Sequence, residues 1–125
     1  MVSKSQRKHD GAVKNIADHP ELLGLERVVE SCVEVPIRNW HGRLITEIDV
    51  LFILEGNFYV PVEYKCNHTF RNEQKAFHQL IMAEKGVRIN FGGLVQGLYY
   101  ASGSDPYRFN ELVIKGPLHY WRDLE

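Results

Sequence analysis

Four charged residues near the middle of this sequence, Glu47, Asp49, Glu63 and Lys65, stand at spacings that could do chemistry. The runs around them, Leu44 to Leu54 and Phe58 to Cys66, have the β-branched and aromatic composition of strands, and only Glu55-Gly56-Asn57 separates the two. A hairpin closed by that turn sets Leu54 against Phe58, which places Asp49 opposite Glu63 and Glu47 opposite Lys65. Side chains two apart on a strand share a face, so the four polar groups gather on one side of the sheet. The other side takes Ile48, Val50, Phe52, Phe58, Val60, Val62 and Tyr64 as core. Opposed carboxylates at roughly 5 Å repel by about 3 kcal/mol at an effective dielectric of about 20, which a shared proton or a cation must offset. Hard oxygen ligands in an open water shell suit Mg²⁺ or Mn²⁺. Such an ion activates water and stabilises charge on a phosphoryl oxygen. Lys65, on the same face as Glu63, could orient that water or take its proton. The same residues also fit a solvated sheet face with a Glu47–Lys65 ion pair worth under about 1 kcal/mol.

The elements that must hold these residues follow from periodicity. Val13, Ile16 and Ala17 form one stripe between Ser5 and Asp18, and His19-Pro20 stops the pattern, so a first helix is expected there. Valines alternate from Arg27 to Ile37, as in a half-buried strand that breaks at Asn39-Trp40-His41-Gly42. Phe70 to Lys85 carries Ala76, Phe77, Leu80 and Ala83 at helical spacing, with Asn67 or Thr69 as N-cap and Gly86 as its stop. Strands are expected from Leu94 to Ala101 and from Phe109 to Ile114, with turn chemistry between them at Ser102 to Pro106. The passage from the third strand through a helix to the fourth requires a parallel pair in a mixed sheet. Pro61, inside the third strand, predicts a bulge or an unpaired edge position.

Ile48-Asp49 followed by Glu63-Tyr64-Lys65, in the order αβββαβ, resembles the PD-(D/E)XK nuclease superfamily. The resemblance runs from the first helix through the strand at Leu94 to Ala101, and implies a single α/β domain over residues 1–125 with a restriction-endonuclease-like mixed sheet. It further implies that Asp49 and Glu63 hold Mg²⁺ with the Tyr64 carbonyl as an extra ligand, and that Lys65 assists the attacking water. The reaction implied is phosphodiester hydrolysis in DNA, less often RNA. The Glu47-Ile48-Asp49 triplet is similar to the variant in junction-resolving and repair-type members, and leaves open whether Glu47 is itself a ligand. Ile48 replaces the family's proline, and the first helix lacks the glutamate many members carry; Asp10, Glu21, Glu26 or Glu30 could serve instead. Members often aim a polar residue from the second helix at the site, which here singles out Gln79, with Lys75 four residues before it on the same face.

The whole chain of 125 residues fits one domain, and a net charge of -1 provides no overall field that would draw in a polyanion. Phosphate contacts then fall to local groups: Lys4, Arg7 and Lys8 at the N-terminus, and Lys75. Apolar runs are too short to span a bilayer, and the basic N-terminus lacks the apolar segment of a secretory signal, so an intracellular protein is expected. Cys32 and Cys66 read as buried thiols, and His68 borders the site as a surface histidine. A nuclease that cuts both strands needs two sites, which favours a homodimer with Leu112, Ile114, Leu118 and Trp121 as candidate contacts. Two other functions remain open. One is a non-catalytic nucleic-acid-binding or assembly protein on the same fold. The other is a metal-independent RNA endonuclease using Lys115, His119 and Tyr120.

Overall fold

Apolar residues at helical spacing put Ala12, Val13, Ile16 and Ala17 on one buried stripe of α1 (Lys4–Asp18). The computed structural model describes residues 4–103 and 112–118. After α1, a short 3-10 turn (Pro20–Leu23) is closed by Gly24 in the left-handed region, and the chain enters β1 (Val28–Arg38), β2 (Leu44–Leu54) and β3 (Phe58–Lys65). Then follow α2 (Phe70–Phe91), β4 (Leu94–Val95), β5 (Leu98–Ser102) and β6 (Val113–Leu118). These strands form one mixed sheet of six in the order β1-β2-β3-β5-β6, with β4 also beside β3, so the chain is a small α/β domain. As the crossover requires, β3 and β5 are parallel and α2 connects them.

Helices cover both faces. α1 packs on Val50, Phe52, Leu54, Val60, Val62 and Tyr64. On the opposite face, α2 packs on Leu51, Tyr59, Leu98 and Tyr100 through Phe77, Leu80, Ala83 and Val87. The face expected to carry exposed charge is therefore buried beneath a helix. Leu112 and Ile114 pack against the α1-side core and Leu118 is buried on the α2 side, so these three candidates for a dimer contact face inward; Trp121 lies outside the described residues.

The β2–β3 hairpin has the expected register, from Leu54↔Phe58 to Val50↔Val62, with Gly56 and Asn57 in the left-handed conformation that the tight turn demands. Pro61 makes no bulge, because it stays in register opposite Leu51. Tyr59 O accepts from Gln96 N and Lys65 O from Gly103 N, so alternation also turns the Pro61 nitrogen toward β4 and β5. There β4 has ended and β5 has not begun, and no ladder donor is lost. The same break explains why the stretch expected as one strand from Leu94 is two. The last strand is described from Val113 to Leu118, and the portion of that prediction before residue 112 is outside the described residues.

Beyond Val50 and Val62 the β2–β3 ladder ends, while β1 and β2 stay paired as far as Arg38↔Leu44. At this point the hairpin of β1 and β2 bends. Glu34, which the flanking pairs Val33↔Val50 and Val35↔Ile48 set opposite Asp49, has φ 51, an uncommon left-handed conformation for a side-chain-bearing residue. Alternation breaks there: Val50 packs under α1, whereas Ile48 packs with Ile37, Ala83 and Val87 under α2. Ile48 therefore lies on the opposite face from the one that strict alternation assigns.

Contacts with the C-terminal half of α2 hold the bent arm. Asn90 Nδ2 donates to Arg38 O at 2.9 Å and Asn90 Oδ1 accepts from Arg38 N at 3.3 Å, imitating a strand neighbour. Gly86 does not stop α2; it lies buried inside a helix that runs to Phe91 and ends at Gly92 in the left-handed conformation. A Cβ at Gly86 would lie 2.0 Å from Ile37 Cγ2, so the glycine is what admits the arm. Of the two candidate caps, Thr69 accepts from Asn72 N, and Asn67 O accepts from the Asn72 side chain.

Alanine at position 86 improves helix propensity by about 1 kcal/mol but forces a branched side chain and its strand to move, which costs about 1–3 kcal/mol. Gly86→Ala is expected to lower stability in urea unfolding, and Ile37→Ala in the same chain to recover part of the loss. A more stable Gly86→Ala protein would mean that the arm is not seated on α2.

Candidate active site

Where β2 leaves β3, backbone donors lose their ladder partners, and two carboxylates take them. Tyr64 N donates to Asp49 Oδ2 at 2.8 Å, and Asp49 N donates to Glu63 Oε1 at 3.4 Å. The two side chains thus lie in the opening between the strands, with Asp49 8% and Glu63 1% exposed. The other Glu63 oxygen, Oε2, is buried without a hydrogen-bond partner. Loss of hydration, and secondarily the charge of Asp49, push the Glu63 carboxyl up from 4.5 to about 10, with Lys65 pulling weakly the other way.

An unpaired buried oxygen beside a second carboxylate is what a cation would relieve, and the donors are of the hard type that Mg²⁺ or Mn²⁺ prefers. Asp49 and Glu63 fit as two protein ligands. The strand turns the Tyr64 carbonyl to the same side as its N–H, toward Asp49. Among the described residues no group of three or more His, Cys, Asp and Glu is arranged around a common ion, so water and substrate would complete the shell, as Mg²⁺ commonly allows.

A third residue reaches the pair from α1. His9 Nε2 is 3.5 Å from Asp49 Oδ2, and its ring lies 5.8 Å from that of Tyr64. The Asp49 hydrogen bond raises the His9 pKa above 6.5, against the opposing effect of burial. This residue was missed in the sequence, although His9, Val13, Ile16 and Ala17 continue one helical stripe and place it at the inward face of α1.

Of the upstream acids, Asp10 approaches His9 Nδ1 at 3.7 Å and accepts from Gln6, so it touches the pair only through His9. Glu21 is bound to His19 at 2.7 Å. Glu26 lines a separate cavity with Leu54, Glu55 and Phe58 at the turn end of the hairpin, and Glu30 pairs with Ile53, about four strand residues or 13 Å from Asp49. Neither belongs to the site. Glu47 is exposed on the bent arm beyond the end of the ladder, so the expected pairing with Lys65 is not part of it.

Lys65 is half-buried and opens into a shallow cleft of about 460 Å³ with Arg71, Gln74, Lys75, His78 and Gln79. Lys75 and Gln79 share one face of α2 and are brought to Lys65, and Gln79 Oε1 is buried there without a partner. Arg7 and Lys8 are exposed on α1, outside that cleft, and nothing is described of the Lys4 side chain. His68 borders the site through Tyr100: its Nδ1 lies 3.2 Å from Tyr100 Oη, and Tyr100 is the β5 neighbour of Glu63. Lys115 is held by Glu73 at 2.5 Å, while His119 and Tyr120 lie outside the described residues. Cys32 and Cys66 are free thiols, only half-buried. In comparison with known proteins, no family model and no curated sequence matches the chain.

Because the Glu63 carboxyl is raised in the fold, its contribution to stability is fully present below its ordinary pKa of 4.5 and is lost as pH climbs toward about 10. In EDTA the melting temperature is expected to fall from pH 5 to pH 9 more steeply in wild type than in Glu63→Gln, which should be the more stable protein at the upper end. Identical pH profiles would show that Glu63 is not held neutral in the metal-free fold.

Proposed function

We propose that this protein is a metal-dependent nuclease of the PD-(D/E)XK type that hydrolyses phosphodiester bonds in DNA. The observation that carries the reading is the Glu63 oxygen left without a partner, beside Asp49, in an opening of the sheet flanked by Lys65. The two carboxylates accept from backbone donors, but their repulsion and desolvation both oppose folding, and a bound cation would offset both. The αβββαβ order and the parallel β3–β5 pair also match what the resemblance implies.

In this reading Asp49, Glu63 and the Tyr64 carbonyl hold a divalent ion, which when bound lowers the pKa of water and stabilises charge on the phosphate. His9 fixes the Asp49 carboxylate from the α1 side. The Lys65 ammonium orients the attacking water, and Gln79 hydrogen-bonds the phosphate or that water from the cleft. Water oxygen bonds to phosphorus and gives its proton to solvent, the ester bond to one sugar oxygen breaks, and that oxygen takes a proton from a neighbouring water and leaves as a hydroxyl.

One observation favours the non-catalytic alternative. His9 can itself supply positive charge to Asp49 without an ion. Cleavage distinguishes the two. With Mg²⁺ and a mixed panel of DNA structures, wild type is expected to cut, and Asp49→Asn, Glu63→Gln and Lys65→Ala each to lose about a hundredfold or more while remaining folded by circular dichroism. Wild-type protein that binds DNA but never cuts, with or without Mg²⁺ or Mn²⁺, would establish the non-catalytic reading.

A further inference from the structure

The N-terminal half of α2 presents two rows of side chains four residues apart: Phe70, Gln74 and His78 in one, Arg71, Lys75 and Gln79 in the other. Each row is about 12 Å long, at about 1.5 Å per residue. All but Phe70 line the cleft that ends at Lys65, and no acidic residue is among its lining groups. Glu73, the acid of this turn, is engaged by Lys115 and lies near His68 instead. Positive charge on Arg71 and Lys75 is thus left without local compensation from the cleft walls.

Phe70 is 78% exposed at the mouth of the same helix, directly before Arg71. A large ring kept in water stabilises nothing in the isolated chain. Beside a row of cations, it matches a ligand that has both phosphate charge and an accessible π-face. At the other end, the buried Gln79 Oε1 is an acceptor in need of a donor. A nucleotide chain offers all three features.

We infer that this cleft binds a single-stranded polynucleotide segment and leads it to the carboxylate pair, with backbone phosphates on Arg71 and Lys75 and an unstacked base on Phe70. This deepens the nuclease reading and rests on it. The single strand is favoured over a duplex because a duplex keeps the faces of its bases stacked on one another, whereas a single strand exposes them to an aromatic side chain.

Fluorescence anisotropy in EDTA separates binding from cleavage. The probes are a short labelled oligothymidylate, the equivalent oligouridylate, and the oligothymidylate annealed to its complement. Wild type is expected to bind a single strand about tenfold or more tightly than the duplex, and the thymidylate and uridylate arms show whether DNA is preferred over RNA. Arg71→Ala/Lys75→Ala should weaken single-strand binding about tenfold or more and flatten its salt dependence by roughly 1.4 in log–log slope, at about 0.7 per cation. Phe70→Ala should weaken binding about fivefold or more with the slope unchanged, because stacking releases no counterions. Preference for duplex, or single-strand affinity indifferent to both variants, would overturn the inference.

These outcomes are separable from failure of the nuclease reading. Cleft-dependent single-strand binding without cleavage in Mg²⁺ would uphold the cleft and remove the enzyme. Cleavage of duplex DNA by a protein indifferent to Phe70, Arg71 and Lys75 would do the reverse.

Discussion

β2 cannot remain paired with β3 along its whole length and also pack Ile48 beneath α2. The β1–β2 hairpin resolves that conflict by bending at Glu34 and Asp49, so that Ile37 and Arg38 reach Gly86 and Asn90. A buried backbone donor without a partner costs about 1–3 kcal/mol, and the bend would strand the Tyr64 N–H. The Asp49 carboxylate accepts from it, and Glu63 accepts in turn from Asp49. One steric choice at α2 thus creates the opening in the sheet and selects the residue type able to line it.

The arrangement solves a backbone problem and raises an electrostatic one. Asp49 and Glu63 are close, dry and of like charge, and both helices exclude water from the faces of the sheet around them. Three devices can relieve this: a proton on Glu63, a charge from His9 on Asp49, or a cation bound by both. The first two act within the chain, and they lower the cost of an empty site. A divalent cation alone balances both carboxylates while each stays ionised.

Local signals were sufficient for the hairpin. The turn Glu55-Gly56-Asn57 and the flanking alternation specify a register that places Asp49 near Glu63 without knowledge of the rest of the chain, whereas the spacing of Lys75 and Gln79 places them only on one helix face. Features that depend on distant partners were not legible. Gly86 reads as a helix stop until Ile37 is known to sit on it, and Ile48 obeys strict alternation until the arm is known to curl over α2. Pro61 reads as a defect because nothing local shows that β4 ends and β5 begins beside it. His9 was within reach of the same periodicity that revealed α1, had the stripe been extended past its apolar members.

Calorimetric titration of Mn²⁺ into the full chain and into Asp49→Ala, each checked for folding by circular dichroism, tests the central claim most directly. If the carboxylates in the sheet opening form a cation site, wild type binds the ion at a defined stoichiometry and Asp49→Ala does not. Equal binding by both proteins would place the ion elsewhere and contradict the role assigned to the Asp49–Glu63 pair.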